Sequence, residues 1–219
     1  IFFTNKMNIK QFTFNPFQEN TYIVFGKNKQ AIIIDPGCYD SNEKNELLSF
    51  IEDNQLNPVA LISTHAHIDH VLGNNFVLNK FDIPFYLHPL DIPILESVKS
   101  YAHLYGFPSY EESPMPNQML TDQQELFFDD ISIKVLFAPG HCPGHVVLYF
   151  PENNIVINGD VLFKGSFGRV DLPGGDLETL KKSIHNVMFN LPEDTKVYCG
   201  HGPETTIGAE KRSNYILSF

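Results

Sequence analysis

The chain has 219 residues, of which 42% are hydrophobic and 13% aromatic, so it is long and apolar enough to bury its own core. A formal net charge of −11 argues against nucleic acid as a partner, because phosphate binding needs clustered lysine and arginine. Three cysteines, Cys38, Cys142 and Cys199, are too few and odd in number for a disulfide framework, which favours a reducing, cytoplasmic compartment.

No secretion signal and no uninterrupted run of about 18 apolar residues is found, so we expect neither export nor a membrane span. Residues 1–6 precede Met7 and are interpreted as an upstream extension or a remnant of expression.

The first half of the chain combines short strands with three helices. Apolar and alternating runs predict strands at residues 9–14, 21–25, 31–34, 58–64 and 84–87. Helical spacing predicts helices over 41–55, 70–80 and 90–104, and Ser41 is the expected N-cap of the first. The stretch 107–118, rich in proline, serine and glutamate, predicts a mobile flap.

The second half repeats this composition. Strands are predicted at 126–128, 131–137, 146–150, 155–157 and 196–199, with a helix over 176–188. Because no linker and no short internal repeat separates the halves, we interpret residues 1–219 as one α/β domain with two β-rich halves.

A dense polar cluster follows the predicted strand 58–64: His65, His67, Asp69 and His70. Alternate side chains of an extended segment share a face, so the first three can point the same way. Imidazole and carboxylate are preferred zinc ligands, whereas the same groups buried without a metal would cost a few kcal/mol. The cluster therefore predicts a metal site. His141, Asp160 and His201 each follow a later strand end, where tight turns aim side chains outward.

These residues resemble the metallo-β-lactamase superfamily, with HxHxDH at 65–70 followed in order by His141, Asp160 and His201. The resemblance implies a four-layer αββα sandwich, in which helices flank two mixed β-sheets and a dinuclear metal site lies between the sheets. It also implies the ligand sets. One metal ion would be bound by His65, His67 and His141, and the other by Asp69, His70 and His201, with Asp160 shared between them.

Asp160 is similar to the bridging aspartate of the glyoxalase II branch, whereas antibiotic-degrading members of the first subclass carry a cysteine there. The runs 138–145 and 162–175 resemble single-domain bacterial glyoxalase II-like hydrolases. The implied activity is thioester hydrolysis of the hydroxyacylglutathione type by a hydroxide that bridges two divalent ions, most simply zinc, with iron or manganese as alternatives. Asp69 would orient the hydroxide, and His145 would assist catalysis from behind the ligands.

A small-molecule substrate is expected, and Arg169 and Lys164 are the candidate residues for pairing with its carboxylate. Only eighteen residues, 202–219, follow the last ligand, so the helical domain that grips glutathione in classical glyoxalase II is not expected. Residues 101–118, with Tyr101, His103 and Tyr105, could cover the site, and Cys199 could approach the metals.

Three alternatives remain open from the sequence. A persulfide dioxygenase of this fold would use one iron, although the second ligand set is complete here. Lactonases and RNA-processing nucleases share the fold, and the acidic charge argues against the nuclease. A non-enzymatic metal module would need closed coordination, whereas two ions sharing seven ligands leave positions for water. The sequence does not indicate an oligomeric state.

Overall fold

Fourteen strands form two six-stranded sheets and a short hairpin in residues 7–219, the part of the chain that the computed structural model describes. The first sheet has the order β1-β2-β3-β4-β5-β6, antiparallel from β1 to β3 and parallel from β3 to β6. Its strands are β1 (Asn8–Phe14), β2 (Glu19–Phe25), β3 (Gln30–Ile34), β4 (Asn57–Ile62), β5 (Phe85–Leu87) and β6 (Gln118–Met119).

The second sheet has the order β14-β13-β10-β9-β8-β7, and only the β10–β13 pair is parallel. Its strands are β7 (Glu125–Phe128), β8 (Ile131–Phe137), β9 (Val146–Phe150), β10 (Ile155–Ile157), β13 (Lys196–Tyr198) and β14 (Thr205–Thr206). The separate hairpin consists of β11 (Leu162–Phe163) and β12 (Ser166–Phe167).

Six α-helices are described: α1 (Ser41–Asp53), α2 (Ile68–Val71), α3 (Asn74–Phe81), α4 (Ile92–Tyr101), α5 (Leu177–Asn186) and α6 (Ile207–Ser213). Short 3₁₀ helices cover Pro89–Asp91, Ala102–Tyr105, Met188–Asn190 and Tyr215–Ser218. Within residues 7–219 no helix is both long and apolar enough to cross a membrane.

Alternation along the central strands explains the layers. In β3, Ile32 and Ile34 enter the apolar cluster between the two sheets, whereas Ile33 packs on the opposite face with α1, α3 and α4. The far face of the second sheet packs against α5 and α6. Both sheets are therefore buried on two sides, and the predicted four-layer αββα sandwich with two mixed sheets is confirmed.

The structure corrects three predicted helix details. Asp40, not Ser41, caps α1, because its carboxylate accepts from the third helical amide while Glu43 reaches back to the amide of Asp40. The helix expected over 70–80 is divided at Gly73, whose amide donates to the carbonyl of Pro36 (2.7 Å). The helix expected over 90–104 has 3₁₀ turns at both ends. The interpretation of residues 1–6 lies outside the described residues.

The stretch 107–118, predicted to be a flap, is attached to the helical layer. Phe107 is buried, with its ring 4.9 Å from that of Tyr39, and Asn74 of α3 donates to the hydroxyl of Ser113 (3.0 Å). Asn75 donates to a backbone carbonyl of the same stretch (3.0 Å). These contacts fix the stretch beside the helices, and its mobility stays a prediction.

Candidate metal centre

Three imidazoles converge where the loop after β4 meets the loop after β8. Nε2 of His141 lies 2.8 Å from Nδ1 of His67 and 3.3 Å from Nε2 of His65. The Nδ1–H of His141 donates to the carbonyl of Arg169 (2.7 Å), and the hydroxyl of Thr64 lies 3.1 Å from Nδ1 of His65. When these outer contacts hold the Nδ1 protons, the inward Nε2 atoms of His65 and His141 are left with free lone pairs, as metal ligation requires.

A second group forms on the other side of the same depression. Nε2 of His201 lies 3.0 Å from the carboxylate of Asp69, and Nε2 of His70 lies 3.6 Å from it. Outer contacts again orient the rings: Nδ1 of His201 donates to the carbonyl of Phe17 (3.0 Å), and Nδ1 of His70 to Asp35 (3.2 Å). This arrangement also directs both Nε2 atoms inward.

Asp160 lies between the two groups. Its Oδ2 atom is 3.5 Å from Nε2 of His141 in the first group and 3.5 Å from Nε2 of His201 in the second. Its Oδ1 atom is 3.4 Å from Nε2 of His70. Gly200 makes this position possible, because a Cβ there would collide with the Asp160 carboxylate and the ring of His70. The structure thus brings together all seven residues that the resemblance implies as ligands.

The protonation states suit metal binding in the first group. Burial lowers the pKa of His65, and it lowers the pKa of His67 to about 3. Burial also lowers the pKa of His141, against the opposing effect of Asp160. All three rings are therefore neutral near pH 7, the form that binds a metal.

Carboxylates reverse this effect in the second group. Burial lowers the pKa of His70, but Asp160 and Asp69 outweigh it, so the net shift is upward. The pKa of His201 is likewise raised, because its hydrogen bond with Asp69 and the charge of Asp160 outweigh burial. Burial alone would raise the pKa of both carboxylates, but the neighbouring histidines hold them below their usual range. A cation could replace the protons that balance these carboxylates.

The residues present fit a pair of metal ions. The groups His65–His67–His141 and Asp69–His70–His201 each bring their ligand atoms within 4.8 Å of one another. Nε2 of His70 and Oδ1 of Asp160 are buried 3.4 Å apart and neither makes a well-aligned hydrogen bond, an arrangement that is costly unless a ligand is bound between them. Imidazole and carboxylate donors suit zinc, iron or manganese.

Two buried carboxylates that sequence reasoning missed hold the ligand loops in place. Asp35 accepts from the amide and the hydroxyl of Thr64 (2.7 and 2.6 Å), directly before His65. Asp91 accepts from the amides of Ala66 (3.0 Å) and Gly144 (2.5 Å), so it ties a loop of one sheet to a loop of the other. A buried carboxylate needs such donors, and the turn 35–37 and the helix start at 91 were the available sequence signals.

His145 lies behind the ligands and does not line the cleft, so the structure favours a positioning role, and its part in catalysis stays a prediction. The side chain is fully buried, and its ring stacks on that of His65 with centroids 4.6 Å apart and planes at 20°. Its Nε2 atom accepts from the amide of Asp160 (3.1 Å). His145 therefore contacts one ligand from each half of the chain without facing a substrate.

Replacing His145 tests this positioning role. We expect His145→Phe to keep the stacked ring, to leave the Asp160 amide without an acceptor and to weaken metal binding by about 10- to 100-fold. His145→Gln can place an oxygen near the lost Nε2 atom and should recover part of the affinity. Competition with a chromophoric chelator measures both variants. Wild-type affinity in His145→Phe would contradict the role.

A cleft of about 620 Å³ opens above the ligands, and His67, Asp69, Asp160 and His201 are part of its lining. Arg169 also lines it, with Nε and Nη2 each 2.7 Å from the carboxylate of Asp171.

One predicted substrate contact and one residue expected to cover the site do not lie in the cleft. Lys164 lines a separate shallow depression with Lys196 and Glu204. Tyr101 and Tyr105 line the cleft as expected, whereas His103 is exposed outside it.

The cysteines lie outside the metal centre. Cys199 packs into the apolar cluster under α5 and α6, where burial raises its pKa to about 12 and keeps it a neutral thiol. Among the described residues it belongs to no group of candidate ligand atoms, so the structure gives it no place among the metal ligands. Cys142 donates its thiol hydrogen to the carboxylate of Asp91 (3.1 Å).

Comparisons with known proteins agree with this geometry. Residues 14–201 match the family model described as metallo-beta-lactamase superfamily. Hydroxyacylglutathione hydrolase GloC of Haemophilus influenzae is 36% identical over 214 residues, 97% of this chain and 99% of that protein. Two solved structures are similar: BLEG-1 B3 metallo-beta-lactamase (37% identity, TM-score 0.88, 97% and 100% of the chains) and TTHA1623 in a di-iron-bound form (41%, 0.84, 94% and 98%). The extent of these matches shows that the chain belongs to the metallo-beta-lactamase superfamily.

Proposed function

We propose that this chain is a dinuclear metal-dependent hydrolase that cleaves small thioesters of the hydroxyacylglutathione type. The observation that carries the proposal is the shared position of Asp160, within 3.5 Å of a histidine from each ligand group at the floor of one cleft. The similarity to hydroxyacylglutathione hydrolase GloC supports a thioester substrate. The similarity to TTHA1623, whose structure holds two iron ions, supports a two-metal site, and zinc and iron are both candidate metals.

Two divalent ions bound here would lower the pKa of water and polarise a carbonyl. The chain's own contribution is to fix the ligands and to handle the proton. Asp69 faces the cleft and can accept the proton of the attacking water, while the C–S bond breaks and the thiolate leaves. The proton then passes to the leaving sulfur, so that the products are a carboxylic acid and a free thiol.

Metal-loaded protein should release thiol from S-lactoylglutathione, chelated protein should not, and metal analysis should find two ions per chain. A lactone and a persulfide with oxygen-uptake detection test the lactonase and the mononuclear persulfide dioxygenase alternatives. A β-lactam belongs in the same panel, because one similar structure is a B3 metallo-beta-lactamase. One iron per chain with oxygen uptake and no thiol release would overturn the proposal.

We also propose a reducing compartment such as the cytoplasm, because the three cysteines are all free and buried.

A further inference from the structure

The wall of the cleft above the metal centre is apolar and largely aromatic. Phe17, Tyr101 and Tyr105 form one side, with ring centroids 6.1 Å apart for Phe17–Tyr105 and 5.4 Å for Tyr101–Tyr105. Phe163 and Phe167 of the β11–β12 hairpin also line the cleft. Phe17 and Tyr105 are 40% and 45% exposed, so large rings face solvent at a site that must bind a substrate.

Charge is scarce on the same wall. Among the described residues that line the cleft, Arg169 is the one lysine or arginine, and Asp171 already holds its guanidinium by two 2.7 Å hydrogen bonds. The metal ligands lie together at the floor, so bound ions would face the reacting carbonyl rather than a distant part of the substrate. A glutathione carrier has two carboxylates, and this wall offers them one cationic side chain, which is already hydrogen-bonded to Asp171.

The hairpin is held in position by the C-terminal segment. Asn214 donates to the carbonyls of Phe163 (3.1 Å) and Ser166 (2.8 Å). The ring of Phe167 stacks parallel to that of Tyr215 at 6.2 Å and meets Phe219 edge-on at 5.8 Å. The C-terminal segment therefore holds the hairpin in place, and the aromatic wall exists before a substrate binds.

Resting on the thioester hydrolysis proposed above, we propose that the cleft prefers, among the thioesters it cleaves, those with an aromatic or branched apolar acyl group, and that it gains little from the two carboxylates of a glutathione carrier. The apolar group packs on the wall formed by Phe17, Tyr105 and Phe167, while the thioester carbonyl reaches the metal centre. Such packing should raise kcat/KM by roughly 10-fold or more for an apolar acyl group relative to a small polar one.

Four thioesters test this specificity: lactoyl and phenylacetyl groups, each on glutathione and on N-acetylcysteamine. With metal-loaded protein we expect kcat/KM to be at least about 10-fold higher for phenylacetyl than for lactoyl on the same thiol, mainly through KM. We expect no advantage for glutathione over N-acetylcysteamine. A preference of more than about 10-fold for S-lactoylglutathione over the other three would overturn the proposal.

Matched variants locate the effect on the wall. Phe17→Ser and Phe167→Ser should each raise KM more for phenylacetyl than for lactoyl thioesters. Leu104→Ser is the control, because Leu104 is 75% exposed and lies outside the cleft, and its kinetics should equal those of the wild type. Equal effects of Phe17→Ser on both acyl groups would count against the wall.

A binding measurement separates this proposal from the function on which it rests. Calorimetric titration uses S-(2-phenylethyl)-N-acetylcysteamine, a thioether that cannot be hydrolysed. If the thioether binds and Phe17→Ser weakens its binding, the apolar wall is supported even when no thioester is cleaved. A failure to cleave thioesters would overturn only the proposed hydrolase activity. Absence of binding by this thioether at millimolar concentration overturns the wall.

Discussion

Replacing Asp160 with alanine is expected to lower thioester hydrolysis by at least ~10³-fold and to reduce metal content below two ions per chain. The reason is its position, since one carboxylate lies within 3.5 Å of His70, His141 and His201 and so serves both ligand groups. Single-turnover thiol release and elemental analysis of the same sample measure both effects.

Three companion variants sharpen this result. His67→Ala should remove the ion of the first group and Asp69→Ala that of the second, so each retains about one ion per chain, whereas Asp160→Ala weakens both. Asp53→Ala, which removes an exposed carboxylate at the end of α1, should retain wild-type rate and metal content. Two tightly bound ions and full activity in Asp160→Ala would refute the shared role.

The layers of the fold could be predicted because local patterns record burial on both faces of a strand. The continuous apolar run in β3 indicates a strand that is buried on both faces, and the alternation of buried and half-buried residues through most of β8 has the two-residue period of a strand. Both strands form as these patterns predict. The helix ends were less accurate. Asp40 competes with Ser41 as a cap, and only the reciprocal contact with Glu43 decides between two good capping residues.

The candidate metal ligands could be picked out from the sequence because several rare ligand types occur close together in HxHxDH, whereas the supporting residues have no such signature. Asp35 resembles a turn residue and Asp91 a residue at a helix start, and their partners are 25 to 53 residues distant in sequence. Lys164 was predicted from its closeness in sequence to Arg169, but it is exposed in the turn of the hairpin, beside the buried and half-buried strand residues. Contacts of this kind depend on the folded arrangement of distant segments.

Replacing Asp91 with alanine is expected to lower the free energy of unfolding by about 3 kcal/mol, because two buried amides and one thiol lose their acceptor. Urea denaturation of the metal-free protein measures this effect without any contribution from bound ions. Asp91→Asn keeps one acceptor oxygen and should fall between alanine and wild type. Asp53→Ala should change stability by less than about 0.5 kcal/mol.

Asp91→Ala should also weaken metal binding by about 10- to 100-fold, beyond its effect on folding. Ala66 lies between two candidate ligands of the first group, His65 and His67, and Gly144 lies three residues after the third, His141. Asp91 therefore fixes the distance between the two halves of that group. Cys142→Ala removes the thiol contact alone and should leave metal affinity near that of the wild type. Equal metal affinity in Asp91→Ala and Cys142→Ala would show that Asp91 stabilises the fold without setting the geometry of the metal centre.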